Sequence, residues 1–165
     1  VGDEGMVYFE QPERSFEYHN APDKTESATH PIHDNWTSLG DVGYVDAEGY
    51  LYLTDRKAYM IISGGVNIYP QEIEDALVLH PAVQDVAVFG VPNTDFGEEV
   101  KAVVELADGL SPTETTLDDL MAYAKANLAG YKVPRSIDFT DALPRLPTGK
   151  LYKRLLKDQY WPAKR

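Results

Sequence analysis

The 165-residue sequence contains no cysteine, which excludes disulfides and thiolate metal sites and fits a reducing compartment such as the cytoplasm. It also lacks any apolar run near the roughly 18 residues that a membrane-spanning helix needs. The opening Val1-Gly2-Asp3-Glu4-Gly5 has neither the basic start nor the apolar stretch of a secretory signal. No Walker-type phosphate loop is present, nor any internal repeat or low-complexity tract. Positive charge is scarce: 15 Lys and Arg face 27 Asp and Glu, a net charge of -12. Broad nucleic-acid binding needs a positive footprint, so that balance argues against it.

What is there is a globular mix, 43% hydrophobic and 25% charged, long enough for one compact core and part of a second. The charge is uneven. Residues 132–165 hold nine of the 15 Lys and Arg but only Asp138, Asp141 and Asp158, a local excess of six positive charges. A basic tail on an acidic body suits one small anionic ligand. On charge alone, a solvated basic helix explains it equally well.

Residues 1–35 are poorly periodic. Met6-Val7-Tyr8-Phe9 reads as a short strand, and Glu17 to Asn35 as an irregular surface segment. Asp41 to Thr54 reads as a hairpin turning at Asp46-Ala47-Glu48-Gly49, followed by a charged break at Asp55-Arg56-Lys57. Beyond it the pattern is denser. Met60-Ile61-Ile62 and Val66-Asn67-Ile68 read as short strands around a Ser63-Gly64-Gly65 turn. Pro70 suits the first turn of a helix, and Glu72 and Glu74 lie near its positive end. The spacing of Ile73, Ala76, Leu77 and His80 gives that helix one buried face, and Pro81 ends it. Val83–Val91 and Glu99–Leu106 are β-rich runs whose tight connection favours an antiparallel pair. Leu117, Leu120, Met121, Ala124 and Leu128 mark an amphipathic helix with Gly130 as its stop. A strand at Ser136–Thr140, a loop at Pro144–Gly149 and a short basic helix complete the order β-β-α-β-β-α-β-α. The expected class is α+β: a mainly antiparallel sheet flanked by helices, preceded by a β-rich segment.

Four segments stand out together. The first is Trp36-Thr37-Ser38-Leu39-Gly40-Asp41 with Gly43 and Gly49. The second runs from Asp55-Arg56-Lys57 through Ser63-Gly64-Gly65 to Tyr69-Pro70-Gln71-Glu72-Ile73-Glu74. The third is Gly130-Tyr131-Lys132-Val133-Pro134, and the fourth Pro144-Arg145-Leu146-Pro147-Thr148-Gly149-Lys150. In order and spacing they resemble the C-terminal part of the adenylate-forming superfamily, which holds acyl-CoA synthetases, luciferases and peptide-synthetase adenylation domains. Members are several times longer. The resemblance therefore implies a fragment: residues 1–55 as the end of a large domain, 56–58 as a hinge, and 59–165 as the small mobile domain. The missing large N-terminal domain would carry the acid pocket and most of the ATP site.

The resemblance also implies chemistry. A carboxylate attacks the α-phosphate of ATP to give acyl-adenylate, and CoA then displaces AMP to give a thioester. The first step brings two anions together and needs a cation on the reacting oxygens; a lysine is cationic at neutral pH, and Lys150 is the family's candidate. Taken alone, its spacing better suits a surface lysine before a helix. Asp41 corresponds to the ribose-binding acid, although Leu39 stands where relatives carry Thr, and Arg56 to a nucleotide-contacting arginine. Asn67 matches a phosphate-contacting position. Ser63, Gly64 and Gly65 resemble the loop along which the CoA arm passes, where glycine permits close backbone approach. Lys57 and Ala58 fall at the pivot, Ala58 replacing the Asp or Lys of many relatives. Ile62 stands where luciferase-like members often carry a second lysine, which points to the fatty or general acyl-CoA branch. Magnesium would come with ATP, bound mainly by the large domain; no metal site is expected here. Pro144 and Gly149-Lys150 fit a pattern that some relatives present to a protein acetyltransferase.

Three readings follow: an acid–CoA ligase, an adenylating domain that loads a carrier protein, and a non-catalytic interaction module derived from such a domain. In every case the 165-residue chain alone is expected to lack ligase activity, since the acid pocket lies elsewhere.

Overall fold

A computed structural model describes residues 2–161. The chain separates into two compact units, dividing between Ala58 and Tyr59.

The first unit is built on short strands. β1 (Gly5–Met6), β4 (Asp41–Val45) and β5 (Leu51–Arg56) form an antiparallel sheet, and β2 (Phe9–Glu10) pairs with β3 (Trp36–Thr37). The β4–β5 hairpin turns where expected. Asp46 Oδ1 accepts the backbone N–H groups of Glu48 and Tyr50, which fixes the loop. Two expectations change. The charged break is a strand up to Arg56, because Asp41 and Arg56 are register partners; only Lys57–Tyr59 leaves it, as a 3-10 turn. The irregular segment contains α1 (Pro22–Ala28), whose PDKTESA sequence buries only Thr25 and so carries no apolar period.

The second unit follows the order read from the sequence. β6 (Ile61–Ser63) and β7 (Val66–Ile68) form a hairpin, then come α2 (Pro70–Leu77), β8 (Val83–Asn93), β9 (Gly97–Leu106), α3 (Glu114–Asn127), β10 (Ser136–Thr140) and α4 (Lys153–Tyr160). The β8–β9 hairpin is the spine. Asn93 Oδ1 accepts the N–H groups of Asp95 and Phe96, and Gly97 takes φ +79°, so the chain reverses within a few residues. β10 runs parallel to β9, reached through α3, while the other strand pairs are antiparallel.

Alternation along β8 and β9 divides the core into two layers. Val86, Val88, Val100, Ala102 and Val104 face one side, packed with Ile73 and Leu77 of α2 and Leu120 and Ala124 of α3. Ala87, Phe89, Val91 and Val103 face the other, packed with Leu143 and Leu156. Both faces of the hairpin are thus covered, which accounts for its near-continuous apolar runs.

Two helix ends differ from expectation. α2 stops at Leu77, and His80 is buried in the turn beyond it. There His80 Nδ1 accepts the N–H of Ala82, while Nε2 lies 3.3 Å from Asp119. α3 ends in extended backbone at Leu128, so Gly130 opens a following 3-10 turn rather than capping the helix.

Candidate functional site

In the first unit two of the three sequence-predicted nucleotide residues, Asp41 and Arg56, meet. Gly40 takes φ +85° and donates its N–H to Ser38 Oγ, and this turn brings the chain into β4 at Asp41. Register then sets Arg56 opposite, and its Nε donates to Asp41 Oδ1 at 3.1 Å. The arginine is half exposed and the carboxylate largely shielded, at 48% and 19%. Arg56 therefore fixes the orientation of the Asp41 carboxylate. Leu39, the departure from the family pattern, points its apolar side chain to solvent. Lys57 and Ala58 are exposed in the 3-10 turn, and Lys57 donates its N–H to the Gly40 carbonyl.

In the second unit Ser63, Gly64 and Gly65 form the β6–β7 turn. The two glycines take φ +57° and +82°, the paired positive values of a tight hairpin turn. A Cβ on Gly64 would come 3.0 Å from the Phe96 ring, so the backbone lies bare against that aromatic. Beside it opens a cleft of about 550 Å³, lined by Gly64, Val66, Phe96, Lys125, Tyr131 and Arg135 among others. The Arg135 guanidinium sits 4.8 Å from the centre of the Phe96 ring. Sequence reading missed Phe96, Lys125 and Arg135. The signal available for Arg135 was its place directly after the third segment. Asn67 is exposed on β7, paired across the hairpin with half-exposed Ile62. Lys132 of the third segment faces elsewhere, in an ion pair with Glu72. Burial by itself would lower its pKa, but the Glu72 carboxylate and Tyr131 outweigh that and raise it.

Lys150 lies on a separate loop and is exposed to solvent. The loop is closed on itself. Leu146 N–H donates to the Lys150 carbonyl, Gly149 N–H to the Leu146 carbonyl, and Tyr152 N–H to the Pro144 carbonyl, each at 2.8 Å. Gly149 takes φ +83°, a conformation that favours glycine. Arg145 donates to the Gly149 carbonyl at 2.7 Å and pairs with Asp85 of β8. Beyond the loop, buried Lys153 opens α4 with its ammonium 2.7 Å from Glu74, whose Oε1 also accepts the Val88 N–H. At the far end of α4, the Tyr160 hydroxyl donates to Asp138, which also pairs with Lys101 at 2.9 Å.

Among the described residues, no group of three or more His, Asp or Glu is placed to hold a metal, and no helix is long and apolar enough to cross a membrane.

The fold is that of the corresponding part of solved adenylating enzymes. Residues 72–150 match the AMP-binding enzyme C-terminal domain, and nearly the whole chain is similar to the C-terminal part of acyl-CoA ligases. It is 41% identical to a long-chain-fatty-acid–CoA ligase of Bacillus subtilis, over 94% of this chain and 27% of that protein. It is 43% identical to a feruloyl-CoA synthase of Amycolatopsis, over 92% of this chain and 30% of that protein. The ATP-bound crystal structure of MatB from Rhodopseudomonas palustris is 36% identical, with a TM-score of 0.83 over 96% of this chain and 31% of that one. The chain thus spans under a third of the length of these relatives.

Proposed function

We propose that this chain is the mobile C-terminal part of an ATP-dependent acid–CoA ligase that acts on a fatty or other acyl carboxylate. The observation that carries this reading is Lys150 presented to solvent from a self-closed loop, in a domain whose relatives are CoA ligases. A lysine so placed reaches into a cleft supplied by another domain. In adenylation its ammonium lies against the substrate carboxylate and the α-phosphate oxygens. It offsets the charge that builds as the carboxylate oxygen attacks phosphorus and pyrophosphate leaves. Asp41, oriented by Arg56, accepts hydrogen bonds from the ribose hydroxyls. Asn67 contacts phosphate, and magnesium arrives with ATP.

Thioester formation uses another part of the domain. The CoA thiol attacks the acyl carbonyl carbon, AMP leaves, and the thiol proton passes to solvent. Ser63, Gly64 and Gly65 give the CoA arm a bare backbone edge, and Lys125 and Arg135 in the adjoining cleft supply cations for its phosphates. Lys57 and Ala58 form the hinge that lets the small domain alternate between these tasks, a reading supported by the unit boundary that follows Ala58. The missing large domain is the partner in both. Lys150 is also open to a protein acetyltransferase, and acetylation would cancel its charge; unmodified Lys150 in a mass spectrum after such treatment would count against that. The enzyme is read as cytoplasmic, in keeping with a sequence that contains no cysteine.

The test is the product formed by the full-length enzyme from ATP, CoA and a panel of carboxylic acids. Acyl-CoA with AMP is expected. Acyl-adenylate that accumulates with CoA but is consumed by a carrier protein would favour the carrier-loading reading instead. One of the relatives is a fatty acid–acyl-carrier-protein ligase of Streptomyces coeruleorubidus, 40% identical.

A further inference from the structure

We propose that Arg145 is a positioning residue for Lys150. It acts by fixing the Gly149–Lys150 peptide against strand β8, and this rests on the adenylation role of Lys150 given above.

The hydrogen bonds within the loop set its internal shape but not its attachment to the domain. Attachment comes from both sides of Lys150. After it, Lys153 is buried on Glu74, which is itself bound to the Val88 N–H of β8. Before it, the Arg145 fork spans Asp85 of β8 with one nitrogen and the Gly149 carbonyl with the other. A planar guanidinium holds two acceptors at a fixed angle, which an ammonium does not. The contact falls on the carbonyl of the residue directly before Lys150. That residue is a glycine at φ +83°, the one place in the loop where the backbone is otherwise freest to rotate. Rotation of this peptide would swing the long Lys150 side chain, so the guanidinium sets where the ammonium can reach. Arg145 is half exposed and its charge is matched by Asp85, so its contribution is geometric rather than a second free cation on the substrate.

The experiment is a double-mutant cycle in the full-length enzyme. Pyrophosphate release is measured for wild type, Arg145→Met, Lys150→Ala and the double variant, and conversion of supplied acyl-adenylate by CoA is measured for Arg145→Met. Arg145→Met is expected to slow adenylation by roughly 10- to 100-fold, the scale of a small misplacement of a reacting group. Thioester formation should stay within about twofold, and in the Lys150→Ala background the Arg145 change should add no further loss. Arg145→Lys, which keeps the charge but not the fork, should rescue little. Asp85→Asn, which leaves both cations in place, should also slow adenylation. Additive losses, equal losses in both half-reactions, or full activity of Arg145→Lys would overturn the proposal. If Lys150→Ala abolishes adenylation while Arg145→Met and Asp85→Asn leave it intact, the positioning role fails and the Lys150 reading stands. If Lys150→Ala itself retains adenylation, both fail.

Discussion

At the scale of single residues, the Glu74–Lys153 pair is the most demanding contact in the second unit. Both side chains are about nine-tenths buried, at 10% and 9% exposure. Burying two charges costs much of what their attraction returns, so such a pair holds geometry more than it adds stability. Removing one partner leaves the other charged in the core. Lys153→Met or Glu74→Gln alone should therefore destabilise the chain by about 3–5 kcal/mol, and the double replacement by clearly less. Urea unfolding monitored by tryptophan fluorescence checks this; two single effects that simply add would show that the charges are not coupled. Glu74 was legible only as a residue of the second segment and Lys153 only as part of a basic helix. The two lie 79 positions apart, and nothing local ties them together. Arg145 and Asp85, 60 apart, were invisible for the same reason.

At the scale of elements, α4 is held by polar contacts at both ends, with Leu156 its main apolar anchor. The far-end contact gives a pH dependence whose sign is fixed. Burial alone would raise the Asp138 pKa, but the Tyr160 hydroxyl and Lys101 outweigh it and hold the carboxyl below its usual value. Its folded-state pKa is depressed, so its stabilisation is complete above the ordinary carboxylate range and is lost as pH falls through the lower folded value. Tyr160 is pushed up to about 12, by burial first and then by the Asp138 carboxylate. Its stabilisation is therefore complete below a free tyrosine's pKa near 10 and is lost as pH rises from there towards about 12. Tyr160→Phe should flatten the alkaline loss in thermal unfolding scans; an unchanged alkaline limb would contradict the assignment.

The β6–β7 turn makes a functional prediction at the same scale. A larger side chain at Gly64 meets the Phe96 ring and narrows the adjoining cleft. Gly64→Leu should slow thioester formation by roughly tenfold or more while adenylation proceeds. Equal slowing of both half-reactions would mean that the turn serves the fold alone. The turn itself was readable, because Gly-Gly between two short β-rich runs has few other uses. The same is true of the β8–β9 hairpin and of α3. By contrast, α1 is too short and polar to show a period, and the direction of β10 depends on a crossover through α3 that no local pattern encodes.

At the scale of the whole molecule, nine of the 15 Lys and Arg, Lys150 among them, fall in residues 132–165 of a chain of net charge -12. The motifs made Asp41, Arg56, the glycine turn and Lys150 legible as a set, because each needs a particular residue type in a particular backbone setting. The cations of the cleft and the braces of the loop were not, because they depend on where distant strands meet. The purified 165-residue chain should form no acyl-CoA from ATP, CoA and a fatty acid, as the acid pocket is assigned to the larger domain; a detectable thioester in a mass spectrometric assay would refute this.

The central claim is that Lys150 is the adenylation cation of a domain that performs its second task with other residues. Its most direct test compares wild-type full-length enzyme with Lys150→Ala in the two half-reactions separately. Pyrophosphate release should be lost while conversion of supplied acyl-adenylate to acyl-CoA is kept. If both half-reactions survive the substitution, Lys150 is a surface lysine and the account fails.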